Sequence, residues 1–146
     1  MEENTFSGSK IQIIDDEPIM LKNMAVYLED SGFSIIQSQD GKTGLETFDK
    51  EKPDLVLLDL RMPGMDGLEV LSHLKKRSPD TPVIVVTGEG GMGDAVSALR
   101  LGAYDFITKP ILDMALLEHS AREALEKSRL VFENRKYSSF LEHEIE

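Results

Sequence analysis

Asp54–Asp59 reads DLVLLD, four consecutive Leu/Val residues between two acids. A strand that buried only one face would alternate apolar with polar residues; an unbroken run suits a strand covered on both faces, as in a parallel sheet. Pro82–Thr87 (PVIVVT) has the same character, and three further runs join it: Lys10–Asp15 (KIQIID), Phe33–Gln37 (FSIIQ) and Tyr104–Thr108 (YDFIT).

The intervening stretches carry helix signals. Pro18 suits a first helical position, where its missing N–H costs nothing. Leu21, Met24, Ala25 and Leu28 follow at helical spacing, and Gly32 can close the turn. A second helix spans about Lys42 to Lys50 and stops before Pro53. Asp66 is a good cap for a third, with Glu69 three residues on and Leu68, Leu71 and Leu74 as its apolar face. The fourth covers about Asp94–Leu101, ending at Gly102, and the fifth starts near Leu112 with no later stop signal. Strand and helix thus alternate five times. Right-handed crossovers place helices on both faces, so the expected fold is a doubly wound α/β domain, (βα)5, over about residues 9–125.

The chain has 146 residues, 40% hydrophobic and 29% charged, enough for one domain with a substantial core. It has no cysteine, which excludes disulfides, thiolate metal sites and cysteine nucleophiles. A net charge of −11 argues against sequence-independent nucleic-acid binding, and no direct contact with nucleic acid or membrane is expected. No apolar run is long enough for a membrane span, and MEENTFSGSK lacks the features of a secretory signal, so a cytoplasmic protein is expected.

In an open α/β sheet, chemistry collects beyond the carboxyl ends of the strands. There the first run delivers Asp15 and Asp16, followed by Glu17; the third delivers Asp59, the fourth Thr87, and Lys109 follows the fifth. Singly, each has a plainer reading: a helix cap for Asp16, a turn for Asp59, a strand end for Thr87, a solvated loop for Lys109. Those readings do not explain why all converge on one edge. Two like charges at 4 Å repel by about 4 kcal/mol at an effective dielectric of 20. A hard divalent cation relieves that, and oxygen ligands without His or Cys suit Mg2+. His73, His119 and His143 are scattered and stand apart. A carboxylate beside Mg2+ and a lysine can attack a phosphoryl group, with the Thr87 hydroxyl on one phosphoryl oxygen.

At these residues the sequence resembles the receiver domain of two-component response regulators. The matching pieces are IIDDEP (Ile13–Pro18), LVLLDLRMPGMDG (Leu55–Gly67), VVTGEG (Val85–Gly90) and GAYDFITKP (Gly102–Pro110), in that order. The resemblance implies strand order 2-1-3-4-5, with Asp59 as phosphoacceptor. It implies that Asp15 and Asp16 organise Mg2+ directly or through water, with Asp59 and the Arg61 carbonyl as further ligands. It assigns Thr87 and Lys109 to the phosphoryl group and Phe106, not Tyr104, to the aromatic switch position, and it implies a cis Lys109–Pro110 bond. Arg61 and Glu89, two places after Asp59 and Thr87, have signs that suggest a pair over the site mouth. The implied partners are a sensor histidine kinase or phosphotransfer protein and an output domain or partner protein. The affected surface would be the fourth helix, fifth strand and fifth helix. Residues 126–146 exceed what a receiver needs. They read as a helical extension or linker in which Leu130, Asn134, Tyr137 and Leu141 share a stripe and a homodimer forms.

Other readings fit less well. A phosphohydrolase with an aspartate nucleophile commonly needs a second carboxylate two residues later, where Arg61 stands. A receiver-like scaffold that is never phosphorylated does not account for the full set of site residues. A flavin carrier of the same topology would need a phosphate loop, which nothing here resembles, and the acidic pocket would repel the phosphate; separately, GEGGMG (Gly88–Gly93) lacks the GK[ST] of a P-loop.

Overall fold

The computed structural model describes residues 8–88 and 92–145. Five strands, β1 (Lys10–Ile14), β2 (Ser34–Ser38), β3 (Leu55–Leu58), β4 (Val83–Thr87) and β5 (Asp105–Thr108), alternate with five helices. These are α1 (Pro18–Asp30), α2 (Gly41–Glu51), α3 (Gly67–Arg77), α4 (Met92–Arg100) and α5 (Met114–Ile145). The sheet is parallel throughout, in the order β2-β1-β3-β4-β5.

The unbroken apolar runs have the expected cause. In β3, Leu55 and Leu57 face a core with α1 and α5, while Val56 and Leu58 face a second core with α2 and α3. In β4, Ile84 and Val86 join the first core and Val83 and Val85 the second. Alternation persists, but both faces are dry.

Element ends follow local hydrogen bonding. Gly32, at φ +105°, closes α1: its N–H donates to Glu29 at 3.0 Å and that of Phe33 to Leu28 at 3.1 Å. This is a Schellman motif, and because it uses the Phe33 N–H, β2 begins at Ser34 rather than Phe33. The Asp40 carboxylate caps α2 by accepting from Thr43 N–H at 2.8 Å. Asp66 caps α3 through Leu68 N–H at 3.0 Å. The buried face of α3 is Val70, Leu71 and Leu74; Leu68 is only half-buried, because the first turn sits at the rim. α5 starts at Met114, two residues later than expected: Asp113 accepts from Ala115 N–H at 2.9 Å, leaving Leu112 94% exposed.

Gly67 is sterically required. A Cβ there would lie 2.3 Å from Leu60 Cα, and the Gly67 N–H donates to the Leu60 carbonyl at 3.2 Å. This contact folds Leu60–Asp66 back on itself and fixes the loop beyond β3.

α5 is tied to the body at several points. Leu117, Ala121, Ala124 and Leu125 are buried in the first core. Ser31 donates to Glu118 at 2.6 Å, Arg122 to Glu118 at 2.9 Å, and the Arg122 guanidinium lies 4.8 Å from the Phe33 ring centre. Ser128 donates to the Asp80 carbonyl at 3.2 Å. The helix runs on without a break to Ile145. Of the stripe expected there, Leu130 is exposed; the side chains of Tyr137 and Leu141 lie outside the described residues. No described helix is long and apolar enough to cross a membrane.

Candidate phosphoryl and metal site

Adjacent placement of β1 and β3 creates the site. Ile14 and Leu58 are register partners, and the Asp59 N–H donates to the Ile14 carbonyl at 2.9 Å. Asp15 and Asp59, the next residues, therefore leave the sheet side by side, where the crossovers diverge. Both are buried, at 1% and 3% exposure.

On the other side, the Lys109 N–H donates to the Thr87 carbonyl at 3.0 Å, continuing the β4–β5 ladder by one bond. The Lys109–Pro110 bond is cis. The Lys109 ammonium donates to Asp15 Oδ2 at 2.7 Å, Glu17 Oε1 at 3.1 Å and Asp59 Oδ2 at 3.2 Å. The remaining oxygens are held by backbone: Asp15 Oδ1 accepts from Glu17 N–H at 2.9 Å, and Asp59 Oδ1 from Arg61 N–H at 3.0 Å.

Three carboxylates around one ammonium leave a surplus of negative charge, with Asp15, Asp59 and Lys109 buried and Glu17 exposed at the edge. Burial raises the Asp15 carboxyl above its ordinary value, and the Asp59 charge adds to the rise, against the opposing pull of Lys109 and the Glu17 N–H. Burial also works against the Lys109 ammonium. The Asp15 hydrogen bond and the charges of Asp15 and Asp59 outweigh it, so Lys109 sits above its ordinary value.

Asp15, Glu17 and Asp59 each bring a carboxylate oxygen within 4.8 Å of the others, a hard-oxygen set that fits Mg2+. Asp16 is not in this set; it keeps Oδ1 buried with no hydrogen-bond partner, which leaves a lone pair for a cation or its water. Glu17 is the member that the sequence placed at this edge without giving it a role. It stands at the N-cap of α1, yet its side chain caps nothing and turns to Lys109 instead.

Thr87 is fully buried, and its Oγ1 has no partner. A buried hydroxyl without a hydrogen bond is costly, and a phosphoryl oxygen would satisfy it. Phe106 pairs with Val85 in the ladder and packs half-buried against the second core. Tyr104 lies at the opposite end of β5, its N–H on the Val83 carbonyl at 2.7 Å. The expected Arg61–Glu89 pair cannot be placed, since Glu89 lies outside the described residues; the Arg61 guanidinium is ion-paired with Asp94 on α4.

Comparison with known proteins agrees with this geometry. The response regulator receiver domain family matches residues 11–121. The transcriptional regulatory protein GlrR of Escherichia coli (strain K12) is 39% identical over 80% of this chain and 26% of its own length. The C4-dicarboxylate transport transcriptional regulatory protein DctD of Pseudomonas aeruginosa is 42% identical over 87% of this chain and 27% of its own. The chain thus spans about a quarter of these relatives. Among solved structures, a receiver domain protein (CheY-like) from Methanospirillum hungatei JF-1 superposes with a TM-score of 0.81 at 29% identity, covering 84% of this chain and 98% of that one. NtrX from Brucella abortus gives 0.82 at 36% identity, covering 91% of this chain and 30% of its own. Since GlrR and DctD are named as transcriptional regulators, the expected absence of nucleic-acid contact finds no support among the relatives.

Proposed function

The chain belongs to the response regulator receiver domains, and from that premise we propose that it is a phosphorylation-controlled signalling switch with Asp59 as phosphoacceptor. The observation that carries the reading is the buried Asp15–Lys109–Asp59 cluster beside a buried Thr87 hydroxyl that has no partner.

Asp15, Asp16, Asp59 and the Arg61 carbonyl would hold Mg2+, with Glu17 at the edge of the set. When bound, Mg2+ offsets charge on the phosphoryl oxygens. An Asp59 carboxylate oxygen forms the new bond to phosphorus as the bond from phosphorus to a phosphohistidine nitrogen breaks; the imidazole leaves with that electron pair. Lys109 moves its ammonium from the carboxylates toward the phosphoryl oxygens, and the Thr87 hydroxyl donates to one of them. The added charge of about −1.5 to −2 drives both movements. Inward motion of Thr87 opens space for the Phe106 ring, which alters the surface of α4, β5 and α5. Phe106 has no hydroxyl, so this coupling acts through packing.

The donor is a sensor histidine kinase or phosphotransfer protein, and the recipient an output domain or partner protein in the cytoplasm. Residues 9–125 form the switch, and 126–146 the linker, which supports a homodimer. The chain regulates; its only chemistry is its own phosphorylation and dephosphorylation.

The test is intact mass after acetyl phosphate treatment. We expect one added phosphoryl group with Mg2+ and none with chelator. Asp59→Asn phosphorylated as fully as wild type would overturn the assignment.

A further inference from the structure

Arg61 belongs to two parts of the molecule at once. Its N–H donates to Asp59 Oδ1 at 3.0 Å, while its guanidinium pairs with Asp94 in the first turn of α4. Among the described side chains of α4 only Ala98 is buried, and Val96 and Leu99 are exposed. The ion pair ties the first turn of this helix to the loop beyond β3.

Resting on the phosphoacceptor reading above, we propose that Asp94 is a positioning residue that draws the Arg61 guanidinium toward α4, so that a phosphoryl group on Asp59 and the first turn of α4 compete for one cation. Asp94 offers one negative charge. A phosphoryl group offers about −1.5 to −2 and three acceptor oxygens, a better match to the guanidinium fork. Arg61 is two residues from Asp59, on a loop tethered to it by that N–H. Phosphorylation therefore takes Arg61 from Asp94 and loosens α4; conversely, Asp94 weakens the hold on the phosphoryl group. The 58% exposure of the Arg61 side chain keeps the effect modest and sensitive to salt.

The experiment is titration of the full chain with beryllofluoride and Mg2+, read by 19F NMR of the bound fluoride. Asp94→Asn is expected to tighten binding about two- to fivefold, the scale of a partly exposed ion pair. The gain should vanish in an Arg61→Ala background, where the backbone carbonyl is kept, and Asp94→Glu should restore wild-type affinity. Unchanged or weaker binding by Asp94→Asn, or the same gain without the Arg61 side chain, overturns the proposal. A second readout leaves Asp94 intact: the Arg61 15Nε resonance, assigned with Arg61→Lys, must move on beryllofluoride addition, and an unmoved resonance also overturns it. Wild type that binds no beryllofluoride, or Asp59→Asn that binds equally well, removes the phosphoacceptor reading itself and the proposal with it.

Discussion

Replacing Lys109 by methionine keeps the length of the side chain and deletes the charge at the centre of the carboxylate cluster. The lost contacts are at 2.7, 3.1 and 3.2 Å, made by a side chain only 6% exposed. Breaking a buried pair from one side strands its partners, at about 3–5 kcal/mol. With a urea slope of about 2 kcal/mol/M, the unfolding midpoint should fall on the order of 2 M in metal-free buffer at pH 7. The loss has a sign in pH. Asp15 is already raised above 3.8 with Lys109 present. A carboxyl whose folded value exceeds its unfolded one contributes stability below the unfolded value and loses it as pH rises through the folded value. Lys109 is the main influence holding the Asp15 carboxyl down against burial, so without it Asp15 rises further and the variant should recover stability as pH falls from 7. Mg2+ should recover it at pH 7 as well, by about 2.7 kcal/mol at 100 times its dissociation constant. Urea melts at two pH values, with and without Mg2+, decide the matter. A variant that loses under about 1 kcal/mol, or whose loss ignores both pH and Mg2+, would refute the electrostatic account of this cluster.

Thr87→Val removes a buried, unpartnered hydroxyl, so the unphosphorylated protein should be unchanged or up to about 1 kcal/mol more stable. It should still take up acetyl phosphate while NMR shifts at Phe106 cease to respond; a normal Phe106 response would sever Thr87 from the switch. Gly67→Ala pushes a methyl to 2.3 Å from Leu60 Cα and should cost about 1–3 kcal/mol in thermal unfolding; an unshifted midpoint would show that the loop yields freely. The Ser31 hydrogen bond, then Arg122, holds Glu118 below its ordinary 4.5. A depressed carboxyl contributes stability above its unfolded value and loses it as pH falls through the folded one. The advantage of wild type over Glu118→Gln should therefore be full near neutrality and fade below pH 4.5, as acid-titrated melts would reveal.

The alternation of strands and helices was visible in the apolar runs and the crossovers between them, and four of the five runs end in or are followed by a residue of the site; the strand order 2-1-3-4-5, which makes β1 and β3 neighbours and so brings Asp15 to Asp59, came from the resemblance to receiver domains. Side-chain direction was not visible. Asp16 and Glu17 are neighbours of the same charge, and only the backbone at the start of α1 decides which of them reaches Lys109. The Arg61 partner depended on where α4 begins, and no periodicity distinguishes a start at Met92 from one at Asp94 when the stretch before it is glycine-rich. Leu68 and Val70 are both apolar; which one is buried depends on the angle at which α3 leaves the tight turn at Gly67. Phe33 missed the second strand because the helix before it claimed its N–H, a competition between elements that neither run reveals alone.

The first turns of α5 are the ones the structure ties to the body of the domain. Its early turns are sunk in the core at Leu117, Ala121, Ala124 and Leu125, Glu118 and Arg122 bolt it to the end of α1, and Ser128 rests on the Asp80 carbonyl. Past that, Arg129 and Leu130 are exposed and the helix continues to Ile145. At about 1.5 Å per residue, the stretch from Arg129 to Ile145 is on the order of 25 Å long. Ser120 donates to Asp105 at 2.7 Å, so the early turns are also tied to β5 one residue before Phe106. A repacking that turned this section by about 5° would carry the far end sideways by roughly 2 Å over that length. With such a lever, a rotation of a few degrees at the core would be read at the far end of α5 as a translation of about 2 Å.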